Sequence, residues 1–170
     1  MIKYIYILLL SFGFGAILHV PSDYDTIQEG INAAMEGDTV LVAEGTYSPS
    51  TNSEVFPIGI GSGIHLIGSG EEVTIIDAEQ TGRVITMEYC DNNIISDLTI
   101  SGGLDEGSFP DKIGGGMYLD NSNPILTHVT IANNTADYRG GGMDLSYSNP
   151  ILTHVTISNN TADMLSLIHI

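Results

Sequence analysis

The side chains that could do acid–base chemistry here are mostly carboxylates. Asp91, Asp97, Asp120 and Asp144 are candidates for the paired acids that glycosidic hydrolysis needs, about 5–9.5 Å apart. β-Elimination would instead need a base near an acidic α-proton and a cation to steady the developing carboxylate charge. Apart from Lys3 near the start, the available cations are Arg83, Lys112 and Arg139. No catalytic residue follows from these types alone. His128 and His154 stand 26 residues apart in near-identical surroundings. Two stacked imidazoles could share a divalent metal, but a structural Zn²⁺ site takes four ligands, and neither Cys90 nor a further histidine is placed to complete one. The other reading is a histidine ladder at a bend, and no metal site is assigned. Asn133 with Asn159, and Asn134 with Asn160, read as amide ladders that satisfy turn backbone.

The elements that must position these residues are repeats. Gly114 to Asp137 returns as Gly140 to Asp163, differing only at 118/144, 120/146, 121/147 and 132/158. Three of the four differences gather on the outward side of one strand and its following turn, placing Tyr118, Asp120, Asn121, Asp144, Ser146 and Tyr147 in one patch. Aromatic faces beside short polar groups suit carbohydrate rings; relaxed drift of a surface would produce the same substitutions. A weaker copy, Asn92 to Ser101, matches Asn123 to Ala132 ahead of an insertion at Leu104 to Ile113.

Within a repeat, Met117 and Leu119 alternate with Tyr118, and Val129 and Ile131 alternate with Thr130, which is strand periodicity. Leu126 has the opposite parity to Val129. Both point inward only if the chain bends near Thr127 and His128. Three short strands, separated by a turn at Asp120 to Pro124, that bend, and a turn at Asn133 to Gly140, make one coil of a solenoid. Leu126, Val129 and Ile131 should then lie over Leu152, Val155 and Ile157. Upstream, Thr26 to Glu29 has capping-box spacing and predicts a short helix with Ile27, Ile31, Ala34 and Met35 on its apolar face, weakened by Gly30 and stopped by Gly37. Further strands are expected at 39–42, 64–67, 73–76, 84–87, 94–95 and 98–100.

Composition agrees with an all-β chain: 20 glycines and no tryptophan among 170 residues. A net charge of −17 repels nucleic-acid phosphates and anionic headgroups, so nucleic acid is excluded as a partner. That surface could attract Ca²⁺ or basic partners, or simply keep the chain soluble; no cofactor is assigned. Residues 1–16 run from a single lysine through an apolar middle to small residues, as in a secretory signal peptide, with cleavage expected near Gly15 or Ala16; the alternative is an uncleaved anchor. No membrane span is expected after cleavage.

Val20 to Gln28, then Gly37 to Tyr47, resembles the start of bacterial right-handed parallel β-helix proteins of the pectin-lyase-like superfamily, where a small helix caps the first coil. The Gly-Gly-Gly-Met and Val-Thr-Ile-x-Asn-Asn-Thr-Ala pattern is similar to repeats of large secreted and outer-membrane proteins, including polymorphic outer-membrane repeats. The resemblance implies a β-solenoid over 17–163 at the cell surface, secreted or associated with the outer membrane. It implies an adhesin-like or glycan-contacting module that meets glycans or other surface proteins. The alternative is the N-terminal fragment of a polysaccharide lyase or glycoside hydrolase, since some superfamily members cleave acidic polysaccharides. No Asn-x-Asp, Asp-Asp and Gly-His-Gly set of the polygalacturonase type is present, and no catalytic residue is carried over. Residues 164–170 depart from the repeat and resemble translated adapter sequence joined to a truncated gene, so they are expected outside the repeat pattern.

Overall fold

The computed structural model describes residues 15–106, 113–163 and 168–169. All of the expected signal segment but Gly15 and Ala16 lies outside these residues, as do Lys112 and tail residues 164–167 and 170. The chain begins with β1 (Ile17–Val20), α1 (Ile27–Ala33), β2 (Thr39–Val42), β3 (Gly45–Tyr47) and β4 (Ile58–Gly59). Next come β5 (His65–Ile67), β6 (Thr74–Asp77), β7 (Ile85–Glu88), β8 (Ile94–Ser101), β9 (Leu104–Asp105) and β10 (Met117–Asp120). The last coils add β11 (Ile125–Ala132), β12 (Thr135–Ala136), β13 (Met143–Ser146), β14 (Ile151–Ser158), β15 (Thr161–Ala162) and β16 (Ile168–His169).

Each strand pairs in parallel with its counterpart one coil away, which makes the chain a right-handed parallel β-helix. The first sheet runs β1-β2-β5-β8-β11-β14, with β3 and β6 joining it through β8; the second runs β16-β13-β10-β7-β4; the third runs β15-β12-β9. The 26-residue register is the observed one: Leu126 pairs with Leu152, Val129 with Val155 and Ile131 with Ile157. The weaker copy continues it downward, with Ile95 under Leu126, Leu98 under Val129 and Ile100 under Ile131. Ile95, Leu98, Ile100, Leu126, Val129 and Ile131 are fully buried and form the spine of the core, whereas in the upper coil Val155 and Ile157 are half-buried against it and Leu152 is 42% exposed. At about 1.5–3 kcal/mol for each aliphatic side chain taken from water, such stacks are the main stabilising term.

The expected bend is present as a conformation within one strand. Asp97, His128 and His154 have φ of 58°, 52° and 53°, a left-handed step that reverses parity in the middle of β8, β11 and β14. Histidine and aspartate tolerate that region better than most residues. The segment read as a plain turn, Asn133 to Gly140, instead contains β12, so each upper coil has a third short sheet. Gly-Gly-Gly follows because the neighbouring backbones close in there. A Cβ on Gly115 would strike the Thr135 carbonyl and one on Gly141 that of Thr161, while Gly114 and Gly140 take φ of 72° and 64°. Ile168 and His169 pair with Met143 and Asp144 as β16, so this part of the expected non-repeat tail extends the second sheet.

Helix α1 carries the capping box: the Thr26 side chain accepts from Glu29 N, and Glu29 reaches back to Thr26 N. A distant side chain completes the cap. Buried Glu54 accepts from Ile27 N at 2.7 Å and Gln28 N at 3.1 Å, satisfying first-turn amides that have no intrahelical acceptor. Gln28 in turn exchanges hydrogen bonds with both backbone groups of Gly59, tying the helix to the second sheet. Two details differ from the sequence expectation. Ala34 is an extended C-cap that still packs, half-buried, against the core, while Met35 is exposed, so the apolar face is Ile27, Gly30, Ile31 and Ala34 without Met35. Gly30 is an asset, since a Cβ there would sit 3.1 Å from both Val20 and Val40.

Two substitutions test this packing. Val129→Asp places an unpaired charge between Leu98 and Val155 and should cost at least about 3 kcal/mol in equilibrium denaturation; an unchanged midpoint would contradict the register. Glu54→Ala leaves the Ile27 and Gln28 amides without their acceptor and should cost about 1–3 kcal/mol in the same assay, with the loss of protection at those two amides visible by hydrogen exchange.

Candidate functional site

The six patch residues do not share one surface. Asp144 pairs with Tyr118 across the second sheet, yet its side chain is 0% exposed and bonded to Arg139, Nε to Oδ2 2.8 Å. It belongs to the packing of the coil edge, which corrects its assignment to an outward patch. Tyr118 is half-buried, and its ring is occupied by the Arg83 guanidinium, 4.8 Å from the centroid. Arg83 also donates to the carbonyls of Ile113 and Gly114, to Thr86 Oγ1 and to the Asp105 carboxylate. Burial pushes the Tyr118 phenol above its ordinary pKa, and Asp120, Asp144 and Glu88 add to this, outweighing the opposing effect of Arg83. Both cations considered for elimination that fall among the described residues are therefore held in ion pairs.

Asp120, Asn121, Ser146 and Tyr147 do lie together, at the end of the second sheet and in the turn to the first. Asp120 is in register with Glu88 below and Ser146 above. One residue further, Tyr89, Asn121 and Tyr147 form a column in which every member is left-handed, with φ of 54°, 46° and 49°. Tyr89 and Tyr147 are 74% and 88% exposed, two rungs apart, about 9.5 Å at parallel strand spacing. Tyr89 escaped the sequence reading because its coil is interrupted by the insertion and its turn differs in length. The signal that finds it is the strand Ile85 to Glu88 set against Met117 to Asp120, which places Tyr89 level with Asn121.

Shallow grooves flank this ridge. One, about 360 Å³, lies toward Gly61, Ser62, Thr86, Glu88, Tyr89 and Cys90. The other, about 560 Å³, lies on the first-sheet side against Asn92, Asn123, Ile125 and Ile151.

The predicted ladders take different forms. Asn134 donates to Ile100 O, Ala132 O and Asn160 Oδ1, and accepts from Gly103 N through its own Oδ1; Asn160 repeats the pattern by donating to Ile131 O. Asn133 and Asn159 are exposed and left-handed, φ 60° and 53°. His128 and His154 stack with ring centroids 4.8 Å apart and planes within 1°, and His128 Nδ1 lies 4.0 Å from Asp97 Oδ1.

Residues 31–167 match the family model described as periplasmic copper-binding protein (NosD). Among solved structures the chain is similar to a pectin methylesterase in complex with a hexasaccharide, at 16% identity and a TM-score of 0.51, over 81% of this chain and 49% of that one. It is also similar to pectin methylesterase PemA from Erwinia chrysanthemi, at 14% identity and a TM-score of 0.48, again over 81% and 49%. The chain spans about half the length of these structures, and at such identities the likeness is one of fold. No curated protein matches.

Copper calls for donors that converge on one point, and the described side chains do not fit it. Imidazole lone pairs lie in the ring plane, and two parallel rings direct theirs side by side instead of at a shared ion. The buried Cys90 thiol donates to the Ile60 and Glu88 carbonyls, and burial raises its pKa. Met87, Met117 and Met143 are inside the apolar core. Among the described residues no three His, Cys, Asp or Glu side chains gather as metal ligands, and no helix is long and apolar enough to cross a membrane. With most of its coils inside the matched segment, and a parallel β-helix built from them, the chain belongs to the NosD family of periplasmic proteins.

Proposed function

We propose that this chain is an extracytoplasmic β-helix module, secreted or held at the outer membrane after export directed by residues 1–16, and that it contacts glycans in an adhesin-like way through its turn edge. The contact side chains are Tyr89 and Tyr147, with Asp120, Asn121 and Ser146 beside them. The observation that carries this reading is conformational. The turn requires a left-handed residue in each of three successive coils. Asparagine, as at Asn121, is well suited to that region, whereas a bulky side chain there is an outlier that costs about 1–2 kcal/mol. Two of the three positions nevertheless hold tyrosine, with the rings turned out to water instead of into the core. Fold stability alone would favour asparagine at both. Exposed rings at a fixed spacing suit the apolar faces of sugars, with neighbouring carboxylates and amides for the hydroxyls. A row of similar weak contacts gains strength by avidity over several coils, which fits a spacer more closely than an enclosed reaction centre.

The test separates stability from contact. Tyr89→Asn and Tyr147→Asn should each leave the fold intact and raise its stability, by about 1 kcal/mol in equilibrium denaturation. The double variant should lose at least tenfold in affinity for whichever glycans the unaltered chain retains on a carbohydrate array. Stabilised variants with undiminished binding would end the proposal. Release of unsaturated products or reducing ends, abolished by Asp120→Asn, would favour the lyase or hydrolase reading instead.

A further inference from the structure

The larger groove has a cause in the register. Cys90 N donates to Ser122 Oγ as Ser122 N donates to Ser148 Oγ, so Cys90 and Ser122 are equivalent. Ile94 is equivalent to Ile125. Residues 91–93 therefore stand where the coil above has only 123–124. The additional residue is accommodated by Asn92 in a left-handed conformation, φ 59°, and the longer turn contributes Asp91 and Asn92 to the lining of the recess, against Asn123 of the coil above. The recess so formed has a volume of about 560 Å³. Its wall is a column of isoleucines in register, Ile94, Ile125 and Ile151, of which Ile125 is 39% and Ile151 59% exposed. Asp91, Asn92 and Asn123 line its polar side.

We infer that this groove seats a neutral, extended polysaccharide lying along the coil axis; the inference rests on the glycan-contact reading above and assigns the ligand's class and direction. Three observations carry it. The isoleucines repeat once per rung, about 4.8 Å, close to the advance of one sugar ring in an extended chain, so successive rings can each lay an apolar face on one rung. The rim offers amide and carboxylate groups to hydroxyls. Behind it, buried Asn93 donates to the Gly61 and Ile64 carbonyls while its Oδ1 accepts no protein hydrogen bond. Finally, the charge is one-sided. Asp91 is in the groove and Glu88 and Asp120 stand in register beside it, whereas Arg83 and Arg139 are ion-paired with Asp105 and Asp144. A polyuronate entering the recess would meet carboxylates without a lining cation, and repulsion would select against it.

The deciding experiment is calorimetric or NMR titration of the purified chain with a neutral β-linked glucan hexamer, a chitosan hexamer and an oligogalacturonate hexamer. The neutral hexamer should bind at least tenfold more tightly than the oligogalacturonate. Ile125→Glu and Ile151→Glu should each weaken it at least tenfold, whereas Ile17→Glu, at another exposed isoleucine, should not. Ile125→Asn and Ile151→Asn replace the glutamate variants should those fail to fold. Tighter binding of the oligogalacturonate, or of chitosan alone, overturns the assignment of class. Binding of the neutral hexamer that falls with Tyr89→Asn and Tyr147→Asn but not with the isoleucine variants removes the groove and leaves the tyrosine edge standing. Absence of binding to all three hexamers and to the array removes both.

Discussion

The structure depends on one constraint: each strand must find its hydrogen-bond partner and its side-chain neighbour in the coil below, at the same distance and in the same direction. A parallel ladder repeated at this pitch puts like residues over like. Apolar columns then fuse into a continuous core, as with Leu66, Ile95 and Leu126. Polar residues are accommodated inside where they can hand a hydrogen bond up or down the column. Asn134 and Asn160 do so, each amide bridging coils where the chain turns. Gly114, Gly115 and Gly116 before β10, and Gly140 and Gly141 before β13, obey the same constraint from the opposite side, since there the neighbouring backbones leave no room for a side chain.

Columnar order has an electrostatic cost. A carboxylate in one coil faces whatever its equivalent is in the next, and Glu88 under Asp120 is a like-charge pair. The fold places such pairs outward, where water screens them. Its described arginines go to the more closely packed sites: Arg83 ties Asp105, two backbone carbonyls and the Tyr118 ring together, and Arg139 neutralises the buried Asp144. Because these cations are used internally, the outer surface keeps the acidic character expected from a net charge of −17.

Much of this was legible in the sequence because periodicity reports on the core. The parity conflict between Leu126 and Val129 located the bend at His128, and the near-exact copy fixed which residues stack. Local signals were equally readable in the Thr26 capping box. What escaped depends on partners far away in the chain or on differences between coils. Glu54 caps a helix 27 residues upstream through buried amides, and nothing in its neighbourhood marks it. Asp144 looked like a surface substitution, but Arg139 draws it into the packed edge. The third sheet is built from two-residue strands, too short to show alternation. At the candidate site, comparison of the two close copies found Asp120, Asn121, Ser146 and Tyr147, while Tyr89 lay in a less similar coil whose turn is one residue longer.

That difference in turn length bears on how such a chain can diversify. In a closed globular core an inserted residue shifts everything downstream, and selection must repair the damage. Here the inside columns resume their register immediately after the longer turn, with Ile95 under Leu126, so the additional residue is absorbed at the perimeter. A single added codon changes the relief of the surface and leaves the interior untouched. Duplication of a coil supplies a neutral copy, and small length changes at its corners then sculpt it, which gives this architecture a route to new surfaces that does not first pass through instability.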